Sequence, residues 1–265
     1  MNMTFTKKCI RAVLLVITLL TGQGYAVAQD RPMVVGTGST FRPFGFLTPD
    51  NKHVGFDIDV ITAIAEAARF KISIVSTPFG ALIPGLNNGD RDIAISAMSI
   101  TPQRMESVDF SNPYQLAHLV VLAGPSVPET KFSDFKTRRV GVGLGQTADT
   151  VVSELFGKTN PNIRRFENTP MLIEELLQGG IDAAVGDVSV MSFYLKSNPD
   201  KKLRVIRDAQ FKDGYIGIAV KKGNTELQGR INAGLKQIID SGQYGQIYKK
   251  WFDASAPKLP DTIPK

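Results

Sequence analysis

Two spacings of apolar residues alternate along the chain. Short runs at Met33-Val34-Val35, 72–75, 140–142, 163–166 and 203–206 read as buried strands. Between them the spacing opens to three or four. Val60, Ile61, Ile64, Ala65 and Ala68 predict a helix, with Asp57 or Asp59 as a cap. Further helices are expected over 82–86, 151–156, 171–177 and 188–195. Leu227, Ile231, Leu235, Ile238 and Ile239 predict a closing helix stopped by Gly242, and Tyr244, Ile247 and Trp251 a short second one packed on the core. Strands that alternate with helices make a largely parallel sheet. Two longer extended runs, 114–123 and 215–220, interrupt that alternation. Phe41, Pro43, Phe44 and Phe46 form an aromatic loop, followed by a polar turn over 49–53. The proline-rich tail after Pro257 is expected to be disordered.

The stretch 92–104 carries the first chemical signal. A strand beginning at Asp92 leads to Thr101, a candidate N-cap, with Pro102 at the first helical position and Arg104 two residues inside. A helix N-terminus favours an anion. With Ser96, Ser99 and a guanidinium nearby, that anion has the form of a carboxylate. Pairing of Arg104 with Glu106 is the alternative, and the stretch by itself leaves both open.

An internal echo follows. Leu82, Ile83, Leu86, Gly89, Asp92, Ala94 and Ile95 reappear ninety positions on as Leu172, Ile173, Leu176, Gly179, Asp182, Ala184 and Val185. A weaker echo pairs 34–39 with 140–145. The pattern is too sparse for a solenoid and reads as two lobes of similar α/β build. Asp92, Asp182, Gly89 and Gly179 are expected to be structural.

Composition narrows the function. Lys7, Lys8 and Arg11 precede a short apolar core, and Ala26-Val27-Ala28 matches a small-x-small cleavage site. The expected mature chain begins at Gln29 in the periplasm. The core is short of the ~20 residues a membrane span needs. Removal of 1–28 takes away Cys9, the only cysteine, and lowers the formal charge of +6 by three. So slight a balance gives no argument for nucleic acid. Two histidines, His53 and His118, and no remaining cysteine argue against a transition-metal site. The glycines at 141, 143 and 145 lack the lysine of a phosphate loop, so no nucleotide or other cofactor is expected.

Five segments then occur in a telling order: Gly55-Phe-Asp-Ile-Asp-Val60, Leu82-Ile83-Pro84, Ser99-Ile-Thr-Pro-Gln-Arg104, Val108-Asp-Phe-Ser-Asn-Pro-Tyr114 and Asp182-Ala-Ala-Val-Gly-Asp187. Together they resemble the family 3 extracellular solute-binding proteins of polar amino-acid ABC importers, of the histidine-, lysine- and glutamine-binding type. The resemblance covers essentially residues 33–253. It implies a two-lobed α/β periplasmic-binding-protein fold of type II with two crossover hinge strands. The first lobe would comprise 29–116 and 216–265, and the second 117–215.

Carried over by position, the resemblance has Arg104 clamp a ligand α-carboxylate, with Ser99 and with Thr147 of the other lobe. Asp187 would accept from the α-ammonium, with the Ser96 carbonyl. Ala97 stands where the family has a second serine and is expected to leave backbone contacts available. Phe41 and Phe79 would sandwich the ligand side chain. Asp187 is also placed to cap the helix from Val188, and the two phenylalanines could belong to the lobe core. A zwitterion taken out of water needs both charges paired, which agrees with the clamp. Gly38 and Gly143 stand where relatives carry charged side-chain readers. The expected subsite is therefore roomy and uncharged, and the expected ligand a neutral or polar amino acid, glutamine-like first. The implied partners are a free amino acid and the permease subunits of an inner-membrane ABC importer, with the chain itself a monomer. The alternative on the same fold is an exported cyclohexadienyl (arogenate or prephenate) dehydratase, which would need a general acid over the ring.

Overall fold

The structure, a computed structural model, describes residues 31–264. The expected leader over 1–28 and its cleavage point after Ala28 lie outside the described residues. The chain opens with β1 (Met33–Thr37), β2 (Thr40–Phe41), β3 (Gly45–Leu47), β4 (His53–Val54), α1 (Phe56–Ala67) and β5 (Ile72–Ser76). Next come α2 (Leu82–Asn88), β6 (Ile93–Ala94), α3 (Pro102–Ser107) and β7 (Val108–Phe110). It crosses through β8 (Gln115–Ala117) into β9 (Leu119–Ala123). The far side holds β10 (Val140–Gly143), α4 (Thr147–Phe156), β11 (Ile163–Phe166), α5 (Thr169–Leu177), β12 (Ala183–Asp187), α6 (Val188–Ser197) and β13 (Arg204–Ile206). The return runs through β14 (Gly214–Ile216) into β15 (Ala219–Lys221), then α7 (Thr225–Asp240) and α8 (Gln243–Phe252).

Two five-stranded sheets of one design form the two lobes, ordered β5-β1-β6-β15-β7 and β11-β10-β12-β9-β13. In each, the first three strands are parallel and the fourth runs antiparallel to both neighbours. That fourth strand is supplied by a crossing segment: β9 continues β8, and β15 continues β14. Between the sheets β8 and β14 pair as a two-stranded ribbon, Ala117 opposite Gly214. The extended runs expected over 114–123 and 215–220 are thus each broken in two, at His118 and at Gly217-Ile218. The chain has to leave the ribbon there to enter a sheet.

The internal echo is visible in the hydrogen bonds. Asp92 accepts the Val34 amide at 2.7 Å, and Asp182 accepts the Arg139 amide at 2.8 Å, each carboxylate fastening the start of a neighbouring strand. Strand register moves the weaker echo by one residue. Val35 pairs with Ile93 and Val140 with Ala183, so Val35, not Val34, is the counterpart of Val140.

The core explains why these segments fold. Ile61, Ile64, Leu227, Ile231, Leu235 and Ile238 are buried together where α1 and α7 cover the first sheet. Phe56 anchors an aromatic cluster with Phe44, Tyr114, Tyr244, Tyr248 and Phe252, the last only 4.9 Å away between ring centroids. Such pairs add about 0.5–1.5 kcal/mol each beyond the area they bury.

Three expectations change. The aromatic loop and polar turn fold as a small antiparallel sheet, β2-β3-β4, whose strands of two or three residues are too short to show an alternating pattern. Neither Asp57 nor Asp59 caps α1. Gly55 holds that position with φ +140°, and a Cβ there would lie 2.0 Å from the Phe44 carbonyl oxygen. Asp59 instead accepts from Lys250 and from the Trp251 indole, both at 2.7 Å. Finally, the tail is docked: Ala256 and Leu259 pack on the cluster beneath α1 and α7, and Ile263 on a second cluster containing Leu82 and Phe110. Apolar residues spaced among the prolines give it surface to bury.

Candidate functional site

A cavity of about 500 Å³ lies between the two lobes, within the ~300–1,000 Å³ range of small-molecule sites. Of the residues singled out from sequence, Phe41, Phe79, Ala97, Ser99, Thr147 and Asp187 line it. Ser96 lines an adjoining chamber of about 270 Å³, which shares Phe41 and Phe79 with the first. Arg104 stands directly behind this lining, in contact with Phe79, Ser99 and Thr147.

The first lobe's wall is the segment after β6. Ala97 adopts φ +45°, a left-handed conformation unusual for an alanine. Its amide donates to the buried carboxylate of Asp57 at 2.8 Å, and the Tyr114 hydroxyl donates to the other oxygen at 2.7 Å. The expectation that Ala97 leaves its backbone open therefore fails for the amide, which is engaged. The Ser96 hydroxyl accepts the Gly38 amide at 3.1 Å. The segment is also tied to the crossing: Ile100 donates to the Tyr215 carbonyl at 2.8 Å, and Gly217 to that of Met98 at 3.1 Å.

Thr101 caps α3, its hydroxyl accepting the Arg104 amide at 3.3 Å, with Pro102 next. The helix has only six residues. The anion-seeking group is thus the guanidinium rather than a macrodipole. Arg104 donates through Nη1 to the Ser99 carbonyl at 2.9 Å and to Thr147 Oγ1 at 3.2 Å, and through Nη2 to the Gly145 carbonyl at 3.2 Å. Its guanidinium carbon lies 5.1 Å from the centre of the Phe79 ring, a cation–π contact. Among the described residues no carboxylate pairs with it, so the Glu106 alternative is not realised. Burial lowers its pKa to about 10. Thr147, the first residue of α4, completes the crossing by donating to Ser99 Oγ at 2.8 Å.

Opposite stands Asp187, the last residue of β12 and the N-cap of α6. Oδ1 accepts the Ser189 amide at 2.8 Å and Oδ2 the His118 amide at a long 3.5 Å. The two readings of this residue are compatible, because capping takes up one oxygen fully and leaves the other weakly bonded beside the cavity. Burial raises its pKa to about 6, against the lowering effect of the Ser189 and His118 amides. Asp57 is pushed further, to about 7, chiefly by burial and in part by the nearby charge of Asp187.

Phe41 does double duty, stacked on Phe44 at 5.8 Å and facing both chambers. The two glycines do not open space as expected. A Cβ on Gly143 would strike the Gln146 side chain at 2.4 Å, and one on Gly38 would come within 2.9 Å of Ser96 Oγ. Gln146 therefore fills the room over Gly143 and lines both chambers. Nor is the subsite uncharged, since Glu167 lines the smaller chamber. Sequence reasoning missed both residues. Glu167 follows the last residue of β11 as Asp187 ends β12, so the rule that ligands gather at strand carboxyl ends would have pointed to it.

An arrangement with a half-buried cation just behind the cavity's lining and a carboxylate in that lining suits a molecule bearing both charges. Among the described residues no group of three or more histidine, cysteine, aspartate or glutamate side chains is placed to hold a metal ion.

Comparison with known proteins agrees in scale with this architecture. The family model of bacterial extracellular solute-binding proteins, family 3, matches residues 33–254. A probable histidine-binding protein of Neisseria gonorrhoeae is 38% identical over 262 residues, covering 95% of this chain and 97% of its own. An L-arginine-binding protein of Pseudomonas aeruginosa is 33% identical over 232 residues, covering 85% and 89%. Among solved structures, the arginine-, lysine-, histidine-binding protein ArtJ from Geobacillus stearothermophilus superposes with a TM-score of 0.82 at 38% identity, covering 86% of this chain and 97% of that one.

Proposed function

Because the chain belongs to the bacterial extracellular solute-binding proteins of family 3, we propose that it captures a basic amino acid, arginine, histidine or lysine, and delivers it to an inner-membrane ABC permease. The observation that carries the amino-acid part is one interlobe cavity with Asp187 in its lining and Arg104 directly behind Ser99, Thr147 and Phe79 of the same lining. In this reading the ligand carboxylate takes over the donors that Arg104 now gives to Thr147 and Gly145, while the hydroxyls of Ser99 and Thr147 remain beside it. The α-ammonium meets the less engaged oxygen of Asp187. Both charges then leave water paired, which avoids the several kcal/mol that an unpaired buried charge costs. Phe41 and Phe79 flank the side chain.

The nature of that side chain rests on the relatives. One is named for histidine, a second for arginine, and a third for arginine, lysine and histidine together. They support a basic ligand in place of the glutamine-like one expected from sequence. They are also binding proteins by name, which supports a binding role over the dehydratase. We take 29–116 with 216–265 as one lobe and 117–215 as the other, and the working form as an exported monomer cleaved after Ala28.

A thermal-shift screen against the standard amino acids tests the proposal, since a ligand that binds only the folded state raises the melting temperature. Stabilisation by arginine, histidine or lysine above all others is expected. A response confined to neutral amino acids would restore the earlier ligand.

A further inference from the structure

The smaller chamber extends the cavity past the two phenylalanines. Phe41, Phe79 and Gln146 border both spaces. Beyond them, Glu167 is the sole charged residue among those lining the smaller chamber. Its carboxylate makes no hydrogen bond or ion pair among the described residues. Two other acids besides Asp187 line the larger chamber, outside the space beyond the phenylalanines. Asp213 is joined to His118, and Glu154 also opens onto a crevice with Lys158 and Arg165.

Strand order sets the spacing. Phe166, the residue before Glu167, pairs with Gly143 at the end of β10, and β10 lies between β11 and β12. Glu167 and Asp187 therefore sit at the ends of strands two spacings apart, about 10 Å. In arginine or lysine the α-nitrogen and the side-chain cation are separated by five or six bonds, roughly 6–7 Å when extended. A charge-assisted hydrogen bond of about 2.8 Å at each end closes the remaining distance.

We infer that Glu167 is the specificity-determining residue of the site: it pairs with the side-chain cation of a basic ligand whose α-ammonium is held by Asp187 and whose stem lies between Phe41 and Phe79. This assignment rests on the amino-acid reading given above. It differs from a charge reader on the first lobe, since the acid comes from the second lobe, whose sheet also carries Asp187.

Isothermal calorimetry on the mature chain and on Glu167→Gln tests it, with arginine, lysine and histidine against the neutral counterparts citrulline, norleucine and glutamine. The expected result is a ten- to hundredfold loss for the basic ligand in Glu167→Gln, the range for one hydrogen bond to a charged group. Citrulline or norleucine should change by less than about twofold, which also reports that the variant is folded. Undiminished binding of the basic ligand overturns the assignment and leaves the basic-ligand reading standing. Equal losses for charged and neutral ligands make Glu167 structural and overturn it too. A wild-type chain that binds glutamine but no basic amino acid removes the basic-ligand reading and the assignment together.

Discussion

The Asp57 carboxylate accepts the amide of Ala97 at 2.8 Å, which joins the start of α1 to the wall of the ligand cavity. Ala97 is held in a left-handed turn by that bond, and Ser96 and Ser99 take their places on either side of it. Replacing Asp57 by alanine strands two buried donors, the Ala97 amide and the Tyr114 hydroxyl. At about 1–3 kcal/mol for each unsatisfied group, Asp57→Ala should lose about 2–6 kcal/mol in urea unfolding. Ala97→Gly, which relieves the strained φ, should gain about 1 kcal/mol in the same measurement.

Asp57 and Asp187 also set a pH dependence of stability. Burial raises both carboxyls in the folded chain, to about 7 and about 6. Between pH 4 and 7 the folded state then binds more protons than the unfolded state, so stability falls as pH rises through that window. Depressed carboxyls such as Asp109, Asp182 and Asp208 act only below it. Ligand-free protein should show a higher urea midpoint at pH 5 than at pH 7.5, and Asp57→Asn should flatten the difference.

Ligand affinity should run the opposite way. An α-ammonium needs Asp187 ionised, and below about pH 6 that carboxyl must give up a proton first. Calorimetry should show affinity level near neutrality and falling by up to about tenfold per pH unit below 6. In Asp187→Asn the dependence should vanish along with most of the affinity.

Arg104 is held by Ser99, Thr147, Gly145 and the Phe79 ring, so its geometry is set before a carboxylate arrives. Arg104→Ala should cost about 2–5 kcal/mol of binding, the range for breaking a buried charge pair. Arg104→Lys should recover only part of it, because an ammonium cannot grip two oxygens in one plane. Calorimetry on the two variants provides the check.

The tail offers a test of stability alone. Truncation after Asp253 removes the packing of Ala256, Leu259 and Ile263 on two separate clusters. Partial burial of three apolar side chains is worth about 1–3 kcal/mol, to be read as a lower urea midpoint with ligand affinity unchanged.

Much of this was legible in the chain. The repeat ninety residues apart located both lobes because Asp92 and Asp182 do the same work in each, fastening a neighbouring strand. Arg104 and Asp187 were readable because they lie in the motifs that carry the family resemblance. What escaped had no local pattern. Strands β2, β3 and β4 are too short for periodicity to register. Gln146 covers Gly143 only because a turn folds it back, which no spacing reveals. Glu167 belongs to no motif, and its position depends on strand order. The tail was misjudged on proline content, when three apolar residues among the prolines decide its course.

The ribbon of β8 and β14 has a mechanical consequence. Residues held in a ladder keep their dihedral angles, so rotation between the sheets falls to positions outside the ladders: His118 on one strand and Gly217-Ile218 on the other, with the longer links 111–114 and 207–213. These articulations are staggered, the first where the outbound strand enters the far sheet and the second where the return strand enters the near one. Because the two strands between the plates are paired with each other, a turn at one link has to be matched at the other, which keeps the plates in register as they travel.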